Sequence, residues 1–244
     1  MSRFLLLSAI ALVAAAPAAD AQIFMSQRPA ANRGAWGFDI ALQYAQPVHG
    51  FASNVERAWG IGSSLHHHFA AVPFLGLRGD FSYLNYGNER QRVPLSSTVN
   101  RVFVEMNTSN NIVFVGGGPE LAVPQGPVRP YIHGFAGYSY FFTQSSAGDD
   151  NGGGSFASTT NYDDGGFASG GGAGIRIPLQ TRRTSVAIDG GARFTRNGER
   201  SYLRTGDIID QPDGSLTFTP RFTEADYWTY YLGASITLGR SRRR

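Results

Sequence analysis

The stretch Tyr227–Leu238, YWTYYLGASITL, alternates along its whole length. Trp228, Tyr230, Leu232, Ala234, Ile236 and Leu238 fall on one side, and Tyr227, Thr229, Tyr231, Gly233, Ser235 and Thr237 on the other. Successive side chains of an extended chain point to opposite faces, so a period of two predicts a strand. One face is apolar and aromatic, the other polar or small, which fits a strand with lipid on its outer side. In hydrocarbon every backbone N–H and C=O must be paired within the protein, so such a strand persists only in a closed barrel.

The pattern recurs upstream. The first strand sets Trp36, Phe38, Ile40, Leu42 and Tyr44 against Gly37, Asp39, Ala41 and Gln43; the second sets Trp59, Ile61, Leu65 and Phe69 against Gly60, Gly62, Ser64, His66 and His68. In the third, Leu75, Leu77, Phe81 and Tyr83 oppose Gly76, Arg78, Asp80 and Ser82. The fourth carries Val113, Val115, Gly117 and Leu121 against Gly116, Gly118 and Glu120, with a parity break between Val102 and Asn111 that suggests a bulge there. The fifth, Tyr131 to Phe142, has aromatics on both faces. The sixth is glycine-rich from Phe167 to Ile177, and the seventh sets Val186, Ile188, Ala192 and Phe194 against Ala187, Asp189, Gly191 and Arg193. Tyr227–Leu238 is the eighth. The expected fold is all-β: an eight-stranded antiparallel up-and-down transmembrane β-barrel.

The connections alternate in length. Ala70–Pro73, Ala122–Pro127 and Gln180–Arg183 read as short turns, while Gln46–Arg57, Asn85–Arg101, Gln144–Gly165 and Arg196–Ala225 read as long loops. Short periplasmic turns and longer extracellular loops are the layout of outer-membrane barrels. A soluble lipocalin-like barrel also has eight strands, but it keeps its apolar face inside. Here the charges collect on the face opposite the aromatic one.

The first residues read as an export signal: Arg3, an apolar run from Phe4 to Ala16, then Ala19-Asp20-Ala21 as an A-x-A cleavage site. That run is shorter than the roughly 20 residues a spanning helix needs. Residues 1–21 are therefore assigned to the signal, 22–239 to the barrel and 240–244 to an Arg-rich tail. All 21 basic residues are Arg, and the net charge of +3 is too small and dispersed for nucleic-acid binding. There is no cysteine, hence no disulfide framework or thiol nucleophile.

Gly117-Gly118-Pro119-Glu120-Leu121, Gly126-Pro127-Val128-Arg129-Pro130-Tyr131 and Gly134-Phe135-Ala136-Gly137-Tyr138 together resemble the outer-membrane β-barrel domain family, which includes the small OmpA-, OmpX- and opacity-type proteins. The resemblance implies a monomer in a Gram-negative-type outer membrane, surrounded by outer-membrane lipid and lipopolysaccharide and inserted by the barrel assembly machinery. It implies no cofactor and no named activity.

Taking each polar face as inward gathers Asp39, Arg78, Asp80, Glu120, Arg176, Asp189 and Arg193, joined by Arg129. An eight-stranded barrel is only just wide enough for side chains to fill. Interleaved arginines and carboxylates can satisfy one another there, so the set is expected to plug the lumen; the alternative is a narrow path for ions or small solutes. In His66-His67-His68 only the outer two share a strand face, so the triplet is no chelating set, and His66 and His68 read as inward filler. Asp149-Asp150-Asn151-Gly152, Asp163-Asp164-Gly165, Asp207, Asp210 and Asp213-Gly214 lack the spacing of a calcium loop and read as solvated loop charge. His49, Ser53 and Glu56 are all that hints at a lipid-active enzyme, with no oxyanion donor beside them. Strand glycines are expected to relieve crowding beside inward aromatics. No catalytic residue and no metal site is assigned.

Overall fold

A computed structural model describes residues 36–94, 103–149, 155–179, 185–211 and 216–238. The signal (1–21), the Arg-rich tail (240–244), the turn 180–183, and Val102, Asp150 and Asp213 lie outside the described residues. The elements are β1 (Trp36–Pro47), α1 (His49–Ala52), β2 (Ala58–His68), β3 (Leu75–Pro94), β4 (Phe103–Ala122), β5 (Arg129–Asp149), β6 (Ser155–Leu179), β7 (Ser185–Arg196), β8 (Glu199–Tyr202), β9 (Ile208–Asp210), β10 (Leu216–Phe218), β11 (Arg221–Glu224) and β12 (Tyr227–Leu238).

Eight strands close into a ring in the order β1-β12-β7-β6-β5-β4-β3-β2, each antiparallel to its neighbours. Closure pairs the first strand with the last: Phe38 lies opposite Ile236 and Asp39 opposite Ser235. Side-chain parity therefore runs unbroken across the seam, apolar outside and polar inside.

The last strand, β12, decides the class. On β12, Trp228, Tyr230, Leu232 and Ile236 are 40%, 42%, 65% and 39% exposed, whereas Tyr227, Thr229, Tyr231 and Ser235 are buried. All around the ring the exposed side is aliphatic and aromatic, from Leu42, Ile61 and Leu77 to Val115, Ile132, Phe167 and Ile188. A soluble barrel would hide these groups. Aromatics gather at both rims of this wall. Tyr44 packs between Trp59 and Tyr230, and Phe194 packs on Trp228, at the end with the long loops; Trp36 packs on His67 at the end with the short turns. Trp36 and Tyr44 are eight residues apart, about 27 Å along a strand. At the tilt usual for such barrels this rises about 21 Å, close to the apolar band of a bilayer-spanning barrel.

Four strands are longer than the sequence pattern suggests. The expected loops Asn85–Arg101 and Gln144–Gly165 are largely strand, because the β3–β4 and β5–β6 hairpins continue their ladders well above the ring. Alternating apolar groups mark only the lipid-facing span, so the polar extensions read as loops. The expected loop Arg196–Ala225 likewise contains two small sheets, β8 with β11 and β9 with β10. The bulge expected on the fourth strand lies on β3 instead: Asn85 and Gly87 pair with Asn111 and Asn110, leaving Tyr86 as the extra residue. Tyr86 is buried on the same inward face as Ser82 and Leu84.

Candidate functional site: the closed lumen and its crown

Seven of the eight charged residues expected in the lumen are inward and buried: Asp39, Arg78, Asp80, Glu120, Arg176, Asp189 and Arg193. Glu120 is the hub, with 0% exposure. Arg176 grips it with two parallel bonds, Nη1 to Oε1 at 2.7 Å and Nη2 to Oε2 at 3.0 Å, and Arg78 Nη1 donates to Oε2 at 3.1 Å. Such fork-to-fork pairs fix both distance and plane, which is why arginine serves here. Arg78 also donates from Nε to Asp80 Oδ1 at 2.8 Å. Asp39 Oδ2 accepts from Ser64 Oγ at 2.6 Å and from Arg176 Nη2 at 3.4 Å.

Aromatic side chains complete this layer, and the sequence pattern did not assign them. Tyr131 donates to Asp189 Oδ1 at 2.7 Å, lies 2.9 Å from the Tyr231 hydroxyl, and carries the Arg176 guanidinium 4.1 Å above its ring. Arg193 sits over the rings of Phe114 and Phe135. The glycines opposite make room, as expected: a Cβ on Gly174 would fall 2.6 Å from the Tyr131 ring, and one on Gly170 2.7 Å from that of Phe135. A void of about 20 Å³ among Asp39, Gln43, Arg78, Asp189 and Tyr231 has room for about one water.

Arg129 is the correction. It stands half-buried at the short-turn mouth, its Nε 3.4 Å from the Gly126 carbonyl, and it reaches none of the four carboxylates. It is the cross-strand partner of Arg176, whose guanidinium goes to Glu120 and Asp39 while that of Arg129 does not. His66 and His68 do point inward, 3.3 Å from Asp39 and Glu120 respectively, while His67 is outside against Trp36.

A second buried layer, which the sequence pattern missed, lies toward the long loops. Helical turn α1 drops Phe51 into the mouth, edge-on to Tyr86, Phe141 and Tyr202 at 5.8, 6.1 and 5.0 Å between ring centres. Val55, Leu84, Ile112 and Tyr227 complete this buried apolar cluster. Buried side chains thus occupy the interior at two levels, charged below and aromatic above. The triad considered from sequence does not assemble: Glu56 pairs with Arg57, and the carboxylates near His49 are those of Glu224 and Asp226.

In the crown above, two of the acids expected to be solvated are tied down. Asp164 Oδ2 accepts the Ser201 N–H at 2.6 Å, joining β6 to β8. Asp207 is buried and accepts two bonds from Arg221, at 3.0 and 3.3 Å, besides the N–H and Nε of Arg204. Burial pushes the Asp207 carboxyl up, but the Arg221 and Arg204 bonds outweigh it and hold it below the ordinary 3.8. A depressed carboxyl contributes stability that is complete above its unfolded value and is lost as pH falls through the folded one. Hydrogen-exchange protection in β8 and β11 should therefore hold from neutral pH down to the ordinary Asp range and fall below it. Asp207→Asn should lower that protection at neutral pH, and unchanged protection in this variant would count against the clasp.

The closed ring, the apolar outer wall and the charged filling define an eight-stranded transmembrane β-barrel. No family model matches the chain, and no curated protein sequence matches it. Among solved structures it is similar to the attachment invasion locus protein Ail of Yersinia pestis, at 13% identity over 84% of this chain and 99% of that one, with a TM-score of 0.44. It is similar also to a major outer membrane protein of Thermus thermophilus, at 11% identity over 82% and 99%, TM-score 0.36. A third likeness is the N-terminal β-barrel domain of Pseudomonas aeruginosa OprF, at 13% identity over 84% and 98%, TM-score 0.32.

Proposed function

We propose that the protein is an integral outer-membrane barrel that does not conduct, and that it serves membrane integrity or surface interaction through its crown. The observation that carries this reading is the double filling of the lumen beneath a crown tied together by Asp164, Asp207 and Phe51. A path for ions would have to breach both the Glu120 layer and the Phe51 layer. In this reading the short turns face the periplasm and the crown faces outward. Export uses residues 1–21, insertion uses the barrel assembly machinery, and the monomer sits among outer-membrane lipid and lipopolysaccharide. In this reading its role is structural or interactive rather than catalytic.

The test is gel mobility of the chain folded in detergent micelles, unboiled and boiled, followed by conductance in a planar bilayer. The unboiled band should run faster and shift on heating, and the bilayer should show no discrete current steps. Reproducible steps from the folded band would overturn the closed lumen in favour of a narrow pore. A single unshifted band from protein soluble without detergent would overturn the membrane assignment.

A further inference from the structure

His49, Glu224 and Asp226 are distant in sequence and meet at the long-loop end. The Val48 N–H donates to the Asp226 carbonyl at 3.0 Å, which lays the segment before α1 against the corner between β11 and β12. His49 Nδ1 then lies 3.7 Å from Asp226 Oδ2 and 4.0 Å from Glu224 Oε2. One donor atom from each of the three residues lies within 4.8 Å of the other two.

Asp226 gives the cluster its direction. Its side chain is only 6% exposed. Oδ1 is committed to the backbone, accepting the N–H groups of Asn197 at 2.8 Å and Gly198 at 3.2 Å. Oδ2 takes no hydrogen bond among the described residues and faces the imidazole. Both carboxylates approach the same ring nitrogen at distances beyond hydrogen-bond reach. Two carboxylate oxygens at similar distances from one ring nitrogen leave a position between the three donors.

We propose that His49, Glu224 and Asp226 bind a divalent transition metal of the zinc class. Tetrahedral zinc holds nitrogen and oxygen ligands at about 2.0–2.2 Å, which sets donor atoms about 3.4 Å from one another. Closing from 3.7 and 4.0 Å requires only that His49 and Glu224 swing inward, and their side chains are 58% and 57% exposed. Asp226 is already fixed by its two backbone bonds. Water takes the fourth position. Calcium seeks six to eight oxygens and magnesium an octahedron of them, so an imidazole with two carboxylates disfavours both. The metal would clasp the start of α1 to the β11–β12 corner, and Phe51 follows two residues later.

The experiment is calorimetric titration of zinc sulfate into the full chain folded in detergent micelles, with the heat-shifted gel band as the check on folding. One site of micromolar affinity is expected, weakened at least tenfold in His49→Ala and in Glu224→Gln. Both substituted side chains are exposed, so the barrel should still fold in each variant. Zinc should also slow protease cleavage near α1 in the parent and leave His49→Ala unaffected. A zinc isotherm that both substitutions leave unchanged, or no zinc binding by the folded parent, would overturn the site. Equal competition by millimolar calcium would overturn the assignment to a transition metal.

Discussion

Replacing Glu120 by alanine should destabilise the folded barrel by about 3–5 kcal/mol, the cost of removing one partner from a buried ion pair. Glu120 takes three bonds from Arg176 and Arg78, and Asp39 alone remains near both guanidiniums once it is gone. The penalty is the unpaired charge rather than the lost contact area. Replacing Glu120 and Arg176 together by leucine and methionine should therefore recover much of the loss, since apolar groups of similar volume often replace a buried pair at little cost. Denaturant unfolding in micelles, followed by the shift between fast and slow gel bands, measures both variants. An unchanged midpoint in Glu120→Ala would mean that water reaches the arginines and the lumen is not filled.

Phe51→Ala should produce an effect of similar size in a different place. The ring is buried among Tyr86, Phe141 and Tyr202, and truncating a buried Phe costs about 3–5 kcal/mol. Because α1 is a connection rather than a wall strand, the loss should fall on local opening of the crown. Hydrogen-exchange protection around Tyr202 should drop on the order of a hundredfold or more. Global unfolding of the ring should hardly move, and the bilayer should stay silent because the Glu120 layer is intact. Current steps in Phe51→Ala alone would show that the charged layer does not seal the lumen.

The wall of this protein was legible in its sequence and the crown was not, for one physical reason. Lipid outside and close packing inside force every residue of the spanning segments to declare a side, so Asp39, Arg78 and Glu120 were placed correctly from parity alone. Arg129 failed at the boundary, where a strand leaves the lumen and parity no longer implies burial. Above the membrane both faces of a hairpin meet water, the apolar alternation stops, and the upper parts of β3 to β6 pass for loops. Phe51, Asp207 and Asp226 are set by contacts between segments far apart in the chain. No local pattern in the sequence announces such contacts. Tyr231 had the right parity, but an inward tyrosine gave no sign that it would join a charged layer, and on the fifth strand aromatics on both faces left Tyr131 unassigned.

The charged layer also bears on how the cylinder is assembled. Its members are spread around the whole circumference, with Asp39 on β1, His66 on β2, Arg78 on β3, Glu120 on β4, Tyr131 on β5, Arg176 on β6, Asp189 on β7 and Tyr231 on β12. Asp39 and Arg176, which meet across the lumen, are 137 positions apart. No hairpin forming early holds a complete set of partners. A strand that slips by one residue turns its charge out toward lipid. The layer therefore acts as a combination lock on registration: it engages only when all eight strands are in step, and it makes the joining of first strand to last the event that commits the fold.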